Sequence, residues 1–203
     1  MEPVGVETIR VRTADGVELE GDVLAPVDPI GAAVVCHPHP LYGGSRRDPV
    51  VATICRTLVD ARYRVLRFDF RGSGGSTGTH GGGTDERLDV LAAIDAAVVP
   101  DAPFVLAGYS FGADIVLGID DPRITRWVVA APVLSVFPEF AAATDPRPKT
   151  MVAATHDQFR SSLDLANEIT GWVATDVISI DAADHFFGGR LRQVGAAVAE
   201  AVA

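Results

Sequence analysis

The sequence predicts an α/β fold: a mostly parallel central sheet with helices on both faces and no cap domain. Three observations carry that expectation. From residue 32 onward, short apolar runs bounded by Pro and Gly alternate with stretches of helical periodicity, which implies repeated strand–helix–strand units. Ahead of them, two segments alternate apolar and polar residues around a turn, the pattern of an antiparallel hairpin. Finally, the polar residues suited to chemistry stand just after the apolar runs, which in a parallel sheet is the carboxyl rim.

In chain order, Val6 to Arg12 and Val17 to Leu24 form the hairpin across Ala14-Asp15-Gly16, at a sheet edge. Ala32 to Cys36 is a continuous apolar run, a strand buried on both faces. It ends in His37-Pro38-His39-Pro40-Leu41-Tyr42-Gly43-Gly44, too rich in Pro and Gly for regular structure. Pro49 to Ala61 has helical spacing, with Asp48 as N-cap and Pro at the first helical position. Arg64 to Phe68 is the next strand, followed by a glycine-rich loop through Gly83. Asp85 to Val98 reads as a helix whose apolar face is 88, 91, 94 and 98. Pro103 to Ala107 is a strand and Ala113 to Leu117 a helix. Trp127 to Ala131 and Thr150 to Ala154 are strands, Leu163 to Ile169 a helix, Val177 to Ile180 the last strand and Leu191 to Val202 the closing helix. Pro132 to Lys149, with four prolines, is the long irregular connection, suited to fold over a site but too short to form a cap domain.

Two hundred and three residues, 48% of them apolar, suit one domain spanning 1–203. The net charge of −10 argues against a nucleic-acid surface, since only the pair Arg46-Arg47 interrupts the acidic balance. Cys36 and Cys55 stand outside any C-x-x-C and read as reduced core thiols. Met1 to Glu7 lacks the basic start and apolar run of a signal peptide, and no eighteen apolar residues follow one another. The expectation is a soluble, cytoplasmic protein without a membrane or nucleic-acid partner.

The chemistry centres on Gly108-Tyr109-Ser110-Phe111-Gly112. A serine on a sharp strand-to-helix turn is lifted above the sheet, and glycines two residues to either side let strand and helix approach. Gly and Ser are common, so the pattern gains weight from what lies downstream. His156 and Asp157 follow the seventh strand, and Asp181, Asp184 and His185 follow the eighth. Ser110, Asp157 and His185 thus stand in three loops on one rim. A serine hydroxyl becomes a nucleophile when a histidine takes its proton, while a carboxylate on the other ring nitrogen holds the tautomer.

With His37-Pro38-His39-Pro40, Gly43-Gly44, Asp69-Phe70-Arg71-Gly72-x-Gly74, the serine pentapeptide, Asp157-Gln158-Phe159 and Asp184-His185-Phe186-Phe187, the chain resembles the α/β-hydrolases. More narrowly, it is similar to small bacterial hydrolases of the dienelactone-hydrolase-like group. The resemblance spans residues 32 to 189 and implies the α/β-hydrolase fold, with Ser110 as nucleophile, Asp157 as acid and His185 as base. Dienelactone hydrolases proper use a cysteine nucleophile, so their substrate is not carried over. The residues favour Asp157 over Asp181 and Asp184, because it opens a loop directly after a strand while Asp184 adjoins His185 and reads as a turn residue. His80, in the glycine loop, reads as solvated.

Two N–H donors are needed for an oxyanion: Phe111 after the nucleophile, and one from the loop after the third strand. Pro38 and Pro40 have none, which leaves His39 or Leu41, with His39 preferred. His37 reads as a hydrogen-bonded structural histidine under that loop. Leu41, Tyr42, Phe111, Val136, Phe137, Phe159, Phe186 and Phe187 are candidates for the cleft wall, and Arg46 and Arg47 for attracting a substrate carboxylate. A metal on His37, His39, Asp157 and His185 lacks a supporting His or Cys cluster, and Gly72 to Gly78 lacks the lysine and spacing of a nucleotide loop; no cofactor is expected. The reading is a serine hydrolase of small to medium carboxylic esters. Its alternatives are a thioesterase or peptidase with the same machinery, or an inactive binding domain on the same fold.

Overall fold

The computed structural model describes residues 5–181 and 183–203; the start of the chain read above, Met1 to Val4, lies outside the described residues. The hairpin pairs β1 (Gly5–Arg12) with β2 (Glu18–Ala25), from Gly5 opposite Ala25 to Arg12 opposite Glu18. β2 then lies antiparallel to β4 (Tyr63–Phe68). All later pairings are parallel: β3 (Gly31–Cys36) with β4 and β5 (Phe104–Tyr109), then β6 (Arg126–Ala130), β7 (Lys149–Ala154) and β8 (Thr175–Ile180). The eight strands run in the order β1-β2-β4-β3-β5-β6-β7-β8. β3 and β5 sit mid-sheet, which is why both are wholly buried and read as unbroken apolar runs.

Successive residues of these strands feed opposite cores. Val34, Leu66 and Leu106 pack on one face with residues of α2 (Glu86–Ala97), α3 (Phe111–Leu117) and α4 (Ser162–Glu168). Val35, Val65 and Val105 pack on the other with α1 (Pro49–Asp60) and α5 (Leu191–Ala201). Asp48 caps α1, its Oδ1 accepting from the Val50 N–H at 2.8 Å. Cys36 and Cys55 are free and buried. Among the described residues, no helix is long and apolar enough to cross a membrane.

Two local expectations are corrected. The loop after β3 holds a short 3-10 turn at Pro40–Tyr42, with Pro40 at its first position and the His39 ring capping it through the Leu41 N–H. On α2, Ile94 is buried as expected, but Leu88, Leu91 and Val98 are half-exposed, and the buried residues include Glu86, Asp89, Val90, Ala92, Ala93 and Ala97. Apolar spacing misled because both acids have buried partners. Glu86 accepts from the Gly81 and Gly83 N–H groups, each at 2.7 Å. Asp89 accepts from the Arg71 N–H and side chain at 2.7–2.9 Å.

These ionic contacts fix the glycine-rich segment that leaves β4. Arg71 bridges Asp89 on α2 to Asp15 in the hairpin turn, and Arg46 joins Glu20, Asp22 and Asp69. Breaking one side of a buried pair strands the other charge. Asp89→Ala is therefore expected to cost about 3 kcal/mol of folding stability, measured as a lowered urea midpoint; a shift below a quarter of that would show that Asp15 alone suffices for Arg71.

Candidate active site

β5 ends in the centre of the sheet and the chain turns at once into α3. Ser110, between them, has φ 54° and ψ −118°, a strained conformation for a residue with a side chain. The two glycines are demanded by contact. A Cβ on Gly108 would collide with the backbone of Gly112, and one on Gly112 with the carbonyls of Cys36 and His37 at the end of β3. The strain lifts the Ser110 hydroxyl to 2.8 Å from His185 Nε2. His185 Nδ1 lies 2.7 Å from Asp157 Oδ2, so a neutral ring donates from Nδ1 and accepts from serine at Nε2.

All three side chains are buried. Asp157 Oδ1 also accepts from the Phe159 and Arg160 N–H groups at 2.7 and 3.1 Å. Burial pushes this carboxyl up, but the His185 hydrogen bond and the two N–H donors outweigh it, and the net shift is downward. The loop that brings His185 back from β8 is held by its own backbone: Tyr109 Oη donates to the His185 carbonyl at 3.1 Å, and the His185 N–H donates to Gln158 Oε1 at 3.4 Å. Asp184 accepts from the Phe186 and Gly188 N–H groups as a turn residue, and Asp181 meets Thr155.

The serine opens into a cleft of about 340 Å3. Tyr42, Phe159 and Phe186 form an exposed aromatic rim, and His39, Phe111 and Val136 line the interior. The Leu41 N–H is taken by His39 Nδ1 at 3.3 Å, whereas the His39 and Phe111 N–H groups have no acceptor among the described residues. Other wall candidates lie elsewhere. Leu41 is exposed outside the cleft lining, Phe137 packs on Gly118 and Phe140, and Phe187 is fully buried beside Tyr109. Arg46 is turned into its carboxylate partners and Arg47 lies outside the lining, so neither stands where it would meet a substrate carboxylate in the cleft. His80 is not solvated: its Nδ1 is 2.9 Å from buried Glu86, and its ring packs on His39 and Phe111.

The residue that sequence reasoning missed is Asp114. Its carboxylate, wholly buried, accepts from four consecutive backbone N–H groups, Val133, Leu134, Ser135 and Val136, at 2.9–3.3 Å. Burial pushes its carboxyl up against the pull of those donors. A lone acid in the apolar run Phe111 to Leu117 was the available signal, because a buried charge requires partners.

Comparison with known proteins agrees with this fold. The family model described as serine aminopeptidase, S33 (Hydrolase_4) matches residues 41–193. An uncharacterized protein of Rickettsia prowazekii, RP471, is 32% identical over 180 residues, covering 82% of this chain and 76% of the relative. Among solved structures, an α/β serine hydrolase homologue from Coxiella burnetii is 26% identical with a TM-score of 0.88, covering 97% of both chains. The Xanthomonas campestris protein XC6422, an α/β serine hydrolase without lid, shares the fold at 24% identity and a TM-score of 0.85, covering 100% of this chain and 95% of its own.

Under the cleft, His37 is fully buried. Its Nε2 accepts from the Phe70 N–H at 2.9 Å, which leaves Nδ1 to donate to the Pro38 carbonyl at 2.6 Å. Burial, opposed by the Pro38 contact, lowers its pKa from 6.5 to about 4. The unfolded chain therefore binds the extra proton, so stability is whole above about pH 6.5 and falls as pH drops toward about 4, by about 3 kcal/mol in full. His37→Gln, which keeps an acceptor but does not titrate, is expected to flatten that slope in urea melts between pH 7 and 4.5. An equal slope in both proteins would assign it to other groups.

Proposed function

This chain belongs to the serine aminopeptidase S33 family of α/β-hydrolases, and from that premise we propose that it cleaves small to medium carboxylic esters through an acyl-enzyme on Ser110. The observation that carries the proposal is the unbroken hydrogen-bonded line from Ser110 Oγ through His185 to Asp157, at 2.8 and 2.7 Å. Ser110 Oγ attacks the ester carbonyl carbon as His185 Nε2 takes its proton, and Asp157 stabilises the imidazolium. The carbonyl oxygen, now an anion, accepts from the Phe111 and His39 N–H groups, the two left without an internal acceptor. Collapse expels the alcohol, which takes the proton from His185; a water then repeats the sequence on the acyl-serine and releases the acid.

The substrate size follows from the cleft. A volume of about 340 Å3 lies at the small end of ligand sites. The lining is mainly apolar, with the aromatic rim open to solvent, and holds Asp48 and Asp114 but no lysine or arginine, which disfavours an anionic acyl or alcohol group. The family's description makes a peptide bond the second reading, because the same groups cleave amides once the leaving amine is protonated.

Ser110→Ala is expected to lower ester turnover by about four to six orders of magnitude and abolish labelling by a fluorophosphonate. Asp157→Asn is expected to fold normally and lose about a thousandfold or more. A p-nitrophenyl ester series from acetate to palmitate, with one thioester and one amide, separates the readings. Turnover of the amide alone selects the peptidase, and neither labelling nor turnover across the panel selects a binding domain.

A further inference from the structure

The loop after β6 divides two spaces. Val133, Ser135 and Val136 face the cleft of Ser110, whereas Leu134 and Phe137 line a separate groove of about 660 Å3 shared with Phe140 and Trp172. Residues that alternate between two cavities make the loop backbone the partition between them. That partition is strained: Ala131 and Leu134 hold φ of 44° and 55° although neither is glycine. Its successive N–H groups converge on the carboxylate of Asp114, one turn into the helix that begins behind Ser110. A single side chain thus ties the wall of the cleft to the element that carries the nucleophile.

We propose that Asp114 is a positioning residue that latches the 133–136 loop as the end wall of the cleft and so sets the longest substrate chain the site accepts. The inference rests on the ester reading of Ser110 and deepens it. With the latch closed, a substrate chain meets Val133, Ser135 and Val136; with the latch weakened, the strained loop relaxes, and the chain gains Leu134, Phe137, Phe140 and Trp172 in the groove beyond it. Each methylene that finds apolar lining raises kcat/KM roughly fourfold. The wall therefore excludes longer chains through a held backbone that keeps Val133 and Val136 in their path, since Ser135, between them, is small.

Two variants test this from different sides. Asp114→Asn keeps the shape but turns an NH2 toward backbone donors, so about half the latch is lost. Val136→Ala leaves the latch intact and trims the wall. The readout is the ratio of kcat/KM for p-nitrophenyl octanoate to that for the acetate, which damage to the reacting groups would not move, because it lowers both rates together. We expect the ratio to rise about tenfold in Asp114→Asn and about threefold in Val136→Ala. Should Asp114→Asn fail to fold by circular dichroism, Asp114→Glu, which keeps the charge but moves it by one methylene relative to the four N–H donors, takes its place. A ratio within twofold of wild type in every folded variant, with wild-type ester turnover intact, overturns the latch and leaves the ester reading standing. Absence of wild-type turnover on both esters overturns both.

Discussion

Everything in the site depends on how closely one strand and one helix approach each other. α3 starts against the carbonyls of Cys36 and His37, so close that residue 112 has no room for a side chain, and residue 108 has none because the helix folds back over the strand. Ser110, caught between, takes a backbone conformation that costs about 1–3 kcal/mol. The sheet bears that cost: β5 is paired on both sides, by β3 and β6, and the Ser110 N–H donates to Ala130 at 2.9 Å. Relaxing the serine would require moving the centre of an eight-stranded sheet.

From that fixed point the problem is reach. β6 and β7 separate β5 from β8, so the histidine must return across two strands to meet the serine. The short link from β7 puts Asp157 on the way, and the backbone of His185 is gripped on both sides, by Tyr109 at its carbonyl and Gln158 at its N–H. Tyr109 immediately precedes the serine, so one strand end positions both partners of the proton transfer. The ring is then oriented by Asp157 and enclosed by Phe159 and Phe186, whose centroids lie 4.7 and 5.5 Å away.

How much of this was legible depended on the range of the interaction. The succession of strands along the chain and the placing of Ser110, Asp157 and His185 at strand ends could be read because each is announced locally, by an apolar run or by a polar residue at its end. The cap of α1 by Asp48 was legible for the same reason. Asp114, Glu86, Asp89 and Arg46 were not, since their partners are 3 to 26 residues away along the chain and composition counts them only as charge. Phe137 and Leu41 were misplaced because a loop residue's side is decided by the backbone turn beneath it, and hydropathy carries no sign of that turn. His80 was taken for solvated because it stands in a glycine-rich loop, and nothing in that loop announces the buried acid beside it, Glu86.

Those long-range acids share one role that gives the negative composition an architectural meaning. Asp69 accepts the Arg46 N–H, Asp89 that of Arg71, Glu86 those of Gly81 and Gly83, Asp157 those of Phe159 and Arg160, and Asp114 four in a row. Each carboxylate thus pins a loop at the carboxyl rim by its backbone, whatever side chains that loop shows to the cleft. Hydrogen bonds to a charged acceptor are about twice as strong as neutral ones, and a buried carboxylate cannot swap partners without leaving its charge unpaired. Among the described residues no domain closes over the site, and a site that gains no order from closure has to be rigid before substrate arrives. Backbone pinning by buried acids supplies that rigidity while leaving the side chains of the wall free to differ, so the shape of the cleft is set through backbone N–H groups held by carboxylates.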